Sequence, residues 1–540
     1  MSFYLGLDSS TQSLSALLIE VDPAVSEAGE RHRRIVLDLT LNFDDQLPGY
    51  GTKSGVFQDE DPQVVHSSPL MWAEALDCLF ARMQDEGVDL SRVVAIAGSG
   101  QQHGSVYLGA GAGEAFAGLD PERSLVQHLQ GHLTRSSAPV WMDSSTAREC
   151  EEITSALGGP QSVAELTGSR AFERFTGPQI RKFYQRETRA YELTDRIHMV
   201  SSFMASLLAG RHAPIDPGDG SGMNLMDIRE RDWSSLALEA TAPDLASKLP
   251  DIAPSTTIVG KVSPYFVQRF GVNPEASVVA WSGDNPCSLI GVGLVRPGQV
   301  AISLGTSDTL FGFMPELRVD PAGEGHVFGA PTGDYMSLIC FKNGSLAREK
   351  VRDRFGFDWL AFDEALAASP PGNNGAVLLP WFDPEITPTV LDAGPRVYGL
   401  DWKDAPAAAR AVVEAQMASM SIHSRWMDVE TDTIYATGGA SKNWAILQIM
   451  ADVFDAEVLP SSVGQTAALG AALRAWHADR LAAGDPIPWS VVVEGFSAPD
   501  SAGRVSPNPA NKEVYQNFLR RYEACERHAL GIGPEPDLTN

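Results

Sequence analysis

The sequence has few cysteines. Its 540 residues contain five, Cys78, Cys150, Cys287, Cys340 and Cys525, and no two of them have Cys-x-x-Cys spacing. An odd, scattered set of this kind predicts neither a disulfide framework nor a zinc site. We therefore expect the chain to work in a reducing compartment, the cytoplasm.

Long apolar runs are also missing. No stretch is apolar for long enough to cross a bilayer, and the chain starts as a strand at residue 3, without a basic region and an apolar core before a cleavage site. We expect neither a signal peptide nor a membrane-spanning segment.

Positive charge is scarce as well. Lys and Arg number 41 against 69 Asp and Glu, which gives a net charge of -28. This imbalance argues against non-specific binding to nucleic acid or to an anionic membrane. It does not exclude an anionic small molecule, because a local nest of backbone N–H groups binds phosphate even in an acidic protein.

The composition is that of a globular protein with more than one core. Hydrophobic residues make up 44% of the chain and charged residues 20%. A chain of this length predicts two to four domains. We place the main boundary at Pro297-Gly298, which predicts domains over residues 1–296 and 297–540.

The first residues predict a β-hairpin. Two apolar runs, Phe3–Leu7 and Leu14–Val21, flank a polar turn that begins with Asp8. Such a turn presents a carboxylate, hydroxyls and backbone N–H groups, which suits a phosphate and its metal ion. Taken alone, the segment is more typical of an ordinary turn, since Asp and Ser are favoured there for local hydrogen bonding.

A second hairpin of the same pattern begins at Val300. The turn Leu304-Gly305-Thr306-Ser307 corresponds to Leu7-Asp8-Ser9-Ser10, with Gly in place of Asp. The repetition predicts two domains built on one plan, each with a turn of phosphate size.

Several candidate polar residues share one position, directly after a predicted strand. In open α/β sheets, ligands bind at the carboxyl ends of the strands. Facing sheets of this kind would therefore bring these residues to one cleft: Asp8, His103, Asp284, Gly305 with Thr306, and Gly438 with Gly439.

Asp284 is the strongest catalytic candidate. Gly283 and Pro286 bracket it, which predicts a fixed turn that holds the carboxylate. A held carboxylate can accept the proton of a hydroxyl nucleophile during phosphoryl transfer. The alternative is an Asx-turn, in which the carboxylate satisfies its own backbone.

His103 follows Gln101 and Gln102 on a glycine-flanked loop. These neutral donors and acceptors suit a polyhydroxylated ligand better than a metal, because no second histidine stands at ligand spacing. The alternative is a buried histidine bonded to backbone. The glycine-rich segment 109–118 matches no nucleotide-binding glycine motif and predicts a surface loop.

Gly438-Gly439 predicts a sharp turn from a strand into a helix, with Ser441 as the cap of that helix. Its N–H groups would suit a nucleotide, although an ordinary strand-to-helix turn explains the pattern equally well.

Taken together, these segments resemble the FGGY carbohydrate kinases, which belong to the actin and hexokinase superfamily. The resemblance covers nearly the whole chain, and within the family it is greatest to animal-type enzymes that phosphorylate D-xylulose. The motifs that carry it are Gly6-Leu-Asp8-Ser-Ser-Thr11, Gly100-Gln-Gln-His103-Gly104, Gly168-Ser-Arg170-Ala-Phe-Glu-Arg174, Gly283-Asp284-Asn285-Pro286, Ser303-Leu-Gly-Thr-Ser307, Cys340-Phe-Lys-Asn-Gly-Ser-Leu346 and Thr437-Gly-Gly-Ala-Ser441-x-Asn443.

The resemblance implies an α/β fold of two ribonuclease-H-like domains with the active site in the interdomain cleft, closing over its substrates. It implies ATP and Mg²⁺ as cofactors, with Asp284 as general base and Asp8 at the metal. His103, Arg174, Asn285 and Gln102 would hold the sugar, although Arg170 competes with Arg174. The nucleotide side would comprise Thr11, Gly305, Thr306, Trp359, Gly438, Gly439, Ala440 and Asn443.

The implied reaction is ATP-dependent phosphorylation of a ketopentose, D-xylulose to D-xylulose 5-phosphate, by a monomer or homodimer that binds sugar and ATP. A kinase of another sugar or polyol, such as ribulose, gluconate or glycerol, is the first alternative. A nucleotide-dependent sensor without catalytic activity is the second, and the presence of Asp284 and His103 argues against it.

Overall fold

A computed structural model describes residues 1–22, 33–461, 464–497 and 503–537. The chain divides into two compact units. The first comprises Met1–Val295, Val327–Met336 and Gly464–Ala498, and the second comprises Arg296–His326, Ser337–Val463 and Pro499–Asn540. The last segment of the first unit therefore comes from the C-terminal part of the chain.

The described strands, in chain order, are β1 (Ser2–Ser9), β2 (Ser13–Val21), β3 (Arg33–Asn42), β4 (His66–Ser67), β5 (Val93–Gly100), β6 (Ser105–Gly109), β7 (Ala138–Pro139), β8 (Thr194–Met199), β9 (Met226–Asp227), β10 (Asp232–Trp233), β11 (Ile258–Lys261), β12 (Ser277–Val279), β13 (Ser282–Gly283), β14 (Gln299–Leu304), β15 (Asp308–Met314), β16 (His326–Gly329), β17 (Tyr335–Phe341), β18 (Val377–Leu379), β19 (Arg396–Tyr398), β20 (Thr433–Thr437) and β21 (Glu457–Pro460).

The described α-helices are α1 (Phe43–Gln46), α2 (Pro69–Asp85), α3 (Ala112–Ala117), α4 (Leu125–Leu129), α5 (Ala147–Ala156), α6 (Pro160–Thr167), α7 (Thr176–Arg186), α8 (Thr188–Leu193), α9 (Val200–Ala209), α10 (Pro217–Gly220), α11 (Ser235–Thr241), α12 (Leu245–Lys248), α13 (Pro264–Phe270), α14 (Asp284–Val292), α15 (Ser345–Arg354), α16 (Trp359–Ala368), α17 (Ala405–His423), α18 (Trp444–Phe454), α19 (Thr466–Ala482), α20 (Trp489–Val493) and α21 (Lys512–Ala529). Short 3-10 turns lie at Pro48–Tyr50, Leu90–Arg92, Ser221–Met223, Pro371–Gly375, Arg425–Met427, Gly439–Lys442 and Pro509–Asn511.

The main sheet of the first unit has the strand order β11-β12-β5-β1-β2-β3, with β13 paired to β5. β1 and β2 form the predicted N-terminal hairpin, and β2 pairs antiparallel with β3. On its other edge β1 runs parallel to β5, which places Asp8 opposite Ser99. β12 and β13 also run parallel to β5, so the ends of β1, β5 and β13 carry candidate residues to the same edge of the sheet.

The second unit repeats this plan. Five neighbouring strands of its sheet have the order β17-β15-β14-β20-β21. β14 and β15 form the predicted second hairpin, and β14 runs parallel to β20, as β1 does to β5. The turn after β14 and the turn after β20 therefore lie at one edge of this sheet.

Helix α19 packs against the first sheet at a distance that leaves no room for side chains. A Cβ atom built on Gly470 would lie 1.8 Å from the Cys287 carbonyl oxygen of α14. One built on Gly291 would lie 1.9 Å from the Thr466 carbonyl oxygen, and one on Gly6 of β1 would lie 2.0 Å from that of Ala468. Glycine is required at these positions because any side chain would overlap backbone atoms.

Two sequence predictions of local structure are wrong. The glycine-rich segment 109–118 contains helix α3, whose Phe116 side chain is fully buried, so it is not a plain surface loop. Ser441 does not cap helix α18. Asn443 does, since its Oδ1 accepts a hydrogen bond from the Ile446 N–H at 3.1 Å. Within the described residues, no helix is both long enough and apolar enough to span a membrane.

Replacing Gly470 with Ala is expected to destabilise the first unit by about 3 kcal/mol, because overpacking a rigid contact costs about 1–3 kcal/mol or more. Urea unfolding measures the difference. Gly131→Ala is the matched control, since a Cβ there meets no atom within 4 Å and the change should stay within about 0.5 kcal/mol. Equal stability of the two variants would contradict the close packing of α19.

Candidate active site

Asp8 lies near the end of β1 with its carboxylate buried. The Ser99 hydroxyl on the neighbouring strand donates a hydrogen bond to its Oδ1 at 2.7 Å. Burial raises the pKa of Asp8 to about 7, and the negative charge of Asp284 adds to the rise. Two acidic groups from different segments of the first unit therefore influence each other, and a cation between them would relieve the repulsion.

Asp284 is the first residue of α14, so the predicted fixed turn is in fact a helix start. Its Oδ1 accepts a hydrogen bond from the Asn285 N–H at 2.9 Å. The carboxylate therefore bonds its own backbone, but not as an Asx-turn, because Pro286 has no N–H to donate. Burial raises its pKa to about 6, although backbone hydrogen bonds from Asn285 and Gln102 oppose the rise. A carboxylate with such a pKa is ionised near neutrality and is still basic enough to accept a proton.

Gln102 and Asn285 are joined through their amides. Asn285 Nδ2 donates to Gln102 Oε1 at 2.8 Å and to Asp284 Oδ1 at 3.2 Å. Gln102 Nε2 in turn donates to the Gly218 carbonyl oxygen at 3.3 Å. Because both ends of the Gln102 amide contact protein, this residue orients Asn285 and through it the carboxylate of Asp284.

His103 is buried, and its φ of 71° places it in the left-handed region of backbone conformation. Its Nδ1–H donates to the Gly222 carbonyl oxygen at 2.7 Å, and its ring stacks on Phe175 at 4.3 Å between centroids. Burial lowers the pKa of His103 to about 3, with a further decrease from the charge of Arg174. The imidazole is therefore neutral, and with Nδ1 protonated its Nε2 is the hydrogen-bond acceptor.

The two competing arginines differ in their relation to His103. The Arg174 charge acts on the His103 pKa, and its guanidinium lies 5.3 Å from the Phe172 ring centre and 6.0 Å from that of Phe175. Arg170 lies 4.7 Å from the Phe172 ring centre. Arg174 is thus the arginine that borders the histidine.

Thr11 is held in the turn between β1 and β2 by two contacts. Its hydroxyl donates to Gln101 Oε1 at 3.3 Å and accepts from Trp141 Nε1 at 2.8 Å. Sequence reasoning did not single out Trp141, because an exposed indole beside a threonine depends on a contact between residues 130 positions apart.

Asp219 is a further buried acid that sequence reasoning missed. Its carboxylate is fully buried and accepts a hydrogen bond from the Ser201 hydroxyl. Burial raises its pKa well above the usual range, and the charges of Asp216 and Asp284 add to the rise. The available signal is the Gly/Asp/Ser-rich run at 216–226, whose composition is typical of a loop.

The second unit contains a cavity of about 560 Å³ at the end of β14. Six predicted nucleotide-side residues line it, together with others that the sequence did not indicate. The predicted ones are Gly305, Thr306, Trp359, Gly439, Ala440 and Asn443, and the additional ones include Ser345, Arg348, Glu349, Asp363, Lys442 and Ile446.

Gly438 does not line this cavity but shapes it. Its φ is 85°, and a Cβ atom there would lie 2.5 Å from the Leu304 carbonyl oxygen. Asn443, besides capping α18, donates from Nδ2 to the Asp363 carboxylate, which joins the two sides of the cavity. Asp363 could have been suspected only from the helical spacing that places it one turn after Trp359.

Beneath the cavity, Arg348 and Asp308 form a bidentate ion pair. Arg348 Nη1 lies 2.9 Å from Asp308 Oδ2, Nη2 lies 3.1 Å from Oδ1, and both side chains are 1% exposed. Arg348 Nη1 also donates to Gln416 Oε1 at 2.7 Å. Breaking a buried pair of this kind costs about 3–5 kcal/mol, so it holds the turn after β14 firmly.

The first unit suits a hydrated Mg²⁺ better than a closed metal site. Among the described residues, no group of three or more His, Cys, Asp and Glu side chains could hold a metal ion. Mg²⁺ commonly takes only one or two carboxylates and completes its coordination with water and phosphate oxygens. The buried Asp8 and the half-buried Asp284 repel each other and provide such a partial donor set.

Comparison with known proteins agrees with this arrangement. Residues 133–291 match the N-terminal domain of the FGGY family of carbohydrate kinases, and residues 300–478 match its C-terminal domain. The chain is 43% identical to the xylulose kinase of Rattus norvegicus over 543 aligned positions, covering 98% of each protein.

Solved structures share the fold at lower identity. The xylulose kinase of Rhodospirillum rubrum superposes with a TM-score of 0.80 at 18% identity, covering 98% of this chain and 99% of that one. The gluconate kinase of Lactobacillus acidophilus gives 0.78 at 19% identity and 98% coverage of both chains. On the two family matches and the near-full-length similarity to the rat enzyme, the chain belongs to the FGGY family of carbohydrate kinases, which are sugar kinases that use ATP.

Proposed function

We propose that the chain transfers the γ-phosphoryl group of ATP to D-xylulose and releases D-xylulose 5-phosphate and ADP. The observation that carries the proposal is the cluster of Asp8, Asp284, Asn285 and His103 in the first unit, in which the buried Asp8 carboxylate and the half-buried Asp284 carboxylate adjoin neutral hydrogen-bonding groups. The rodent and plant relatives at 42–43% identity, each a xylulose kinase by name, support the choice of sugar.

Asp284 acts as the general base. Its carboxylate accepts the proton of the terminal sugar hydroxyl while that oxygen forms a bond to the γ-phosphorus. The bond from the γ-phosphorus to the bridging oxygen breaks, and the electron pair leaves with ADP. The helix N-terminus and the Asn285 N–H hold the carboxylate at 2.9 Å, so it is oriented before the sugar binds.

The sugar hydroxyls are held by His103, Asn285 and Arg174, with Gln102 orienting Asn285. Neutral His103 accepts a hydrogen bond at Nε2, because its Nδ1–H is committed to Gly222. Arg174 donates hydrogen bonds and borders the same ring. The stacked Phe175 fixes the imidazole plane, which makes hydroxyl stereochemistry matter for binding.

The nucleotide occupies the cavity of the second unit. Backbone groups of Gly305 and Thr306 approach its phosphates, while Gly439, Ala440, Asn443 and Trp359 contact the adenosine, and Gly438 allows the sharp turn that brings them there. Thr11 lines the phosphate path in the first unit. Asp8 would hold Mg²⁺, which supplies charge neutralisation for the phosphate oxygens when bound.

We further propose that residues 1–296 serve the sugar and the base, that residues 297–540 serve the nucleotide, and that the enzyme works in the cytoplasm as a monomer or homodimer. All five cysteines are free thiols, which is compatible with a reducing compartment.

The first expected outcome concerns substrate choice. In a coupled ADP-release assay, kcat/KM for D-xylulose should exceed that for D-ribulose, gluconate and glycerol by at least about tenfold, since one unpaired buried polar group costs about 1–3 kcal/mol. Preference for another member of the panel would favour the alternative sugar or polyol kinase. ADP release with none of them would favour a non-catalytic sensor.

The second expected outcome concerns the proposed general base, Asp284. Because only the carboxylate form accepts a proton, kcat/KM should decrease as the pH falls through about 6, the raised pKa of Asp284. Asp284→Asn should lower kcat by about 10²–10⁴-fold. Titration calorimetry should still detect binding of D-xylulose to this variant. Asp195→Asn, at an exposed acid of the same unit, is the matched control and should keep full activity. An Asp284→Asn enzyme with nearly normal kcat would refute the assignment.

The third expected outcome concerns the cavity of the second unit, where the nucleotide is proposed to bind. A Cβ on Gly439 meets no atom within 4 Å, so Gly439→Val should fold normally but extend a branched side chain into the cavity. KM for ATP should rise about tenfold, in line with a steric cost of about 1–3 kcal/mol, and KM for D-xylulose should stay the same. Gly131→Val is the control. An unchanged KM for ATP would place the nucleotide elsewhere.

A further inference from the structure

Arg474 is a charged side chain in the middle of helix α19 that is only 1% exposed. Burying a guanidinium costs several kcal/mol unless its N–H groups find acceptors. Here Nη1 donates to the Gly98 carbonyl oxygen at 3.0 Å, and Nη2 donates to those of Ser255 at 2.9 Å and Ala280 at 2.6 Å. Nη1 also contacts Cys287 Sγ at 3.2 Å. No carboxylate is among these four partners.

Three of the four partners belong to the segments that carry the candidate catalytic residues. Gly98 precedes Ser99, the hydrogen-bond donor to Asp8, on the strand that leads to His103. Ala280 lies between β12 and β13, directly before the residues that lead into Asp284. Cys287 lies on the first turn of α14, three residues after Asp284.

Ser255 connects the guanidinium to the buried acids. Its hydroxyl donates to Asp216 Oδ2 at 2.5 Å, and Asp216 caps the short helix that carries Asp219. The positive charge of Arg474 lowers the pKa of Asp219, against the larger effect of burial. One side chain thus links β5, the start of α14 and the Asp216–Asp219 turn.

We propose that Arg474 is a positioning residue for the phosphoryl-transfer reaction, which sets the placement of Asp284 relative to the strand that bears Ser99 and leads to His103, through its bonds to Gly98, Ala280, Ser255 and Cys287. This inference rests on the proposed function, because it assigns Arg474 a role through Asp284. A purely space-filling side chain would not need donors directed at three carbonyl oxygens from three segments.

The test compares Arg474→Met, which keeps length but loses every donor, with Arg474→Lys, which keeps the charge and some donors. Arg480→Met is the matched control, since Arg480 lies on the same helix and contacts Asp485 instead. Circular dichroism and thermal unfolding establish folding. Wild-type turnover of D-xylulose tests the proposed function by itself, before any variant is compared.

For folded Arg474→Met we expect kcat to fall by about 10–100-fold, because misplacing a catalytic group by about 1 Å can cost 10²-fold. KM for ATP should change by less than about threefold, because the nucleotide cavity lies in the second unit. Arg474→Lys should recover part of kcat.

Two results would overturn the proposal. The first is a folded Arg474→Met enzyme with the kcat of the wild type. The second is failure of both Arg474 variants to fold while Arg480→Met folds, which would make Arg474 a residue of stability alone.

Discussion

The arrangement of Asp8 and Asp284 depends on the contact between helix α19 and the two elements packed against it, β1 and α14. Gly470, Gly291 and Gly6 allow backbone to approach backbone, so α19 touches both β1 and α14 directly. Asp8 lies near the end of β1 and α14 begins at Asp284, so the distance between the two carboxylates is set by elements packed on the same helix. The donors of Arg474 on that helix then tie β5 into the assembly. Close packing transmits position because interiors are nearly incompressible.

This packing places the carboxylates where water is largely excluded, which has opposite effects on stability and on chemistry. Burial raises the pKa of Asp8 to about 7 and that of Asp284 to about 6 from an ordinary 3.8. Because the pKa of each group is raised in the folded state, folding favours the protonated carboxyl. The contribution of each group to the free energy of unfolding is therefore fully present below its unfolded pKa and is lost as the pH rises through the raised pKa. The same shift gives a base matched to neutral pH and a local demand for a cation. His103, kept neutral by burial, adds hydrogen bonding without further charge.

Much of this could be predicted from the sequence because its signals are local. Apolar runs around short polar turns predicted both hairpins, and the position after a strand predicted that Asp8, His103 and Asp284 share one sheet edge. Long-range packing has no such signal: nothing near residues 464–498 indicates that they join the first unit. The sequence did not indicate a role for Asp219 or Arg474 for the same reason, because the residues they contact or influence lie in other segments of the chain. Ser441 and Asn443 both suit a helix cap, and only the backbone path after Gly438 selects Asn443.

Proton transfer to Asp284 requires that the terminal hydroxyl of the sugar faces this carboxylate. A crystal structure of Asp284→Asn bound to D-xylulose measures this directly, since the substitution keeps the shape of the side chain while stopping turnover. We predict that O5 of the sugar lies within about 2.6–3.2 Å of the residue 284 side chain, the distance required for proton transfer, with His103 and Asn285 on the remaining hydroxyls. A sugar bound with O5 directed away from residue 284, or bound outside this cluster, would contradict the account.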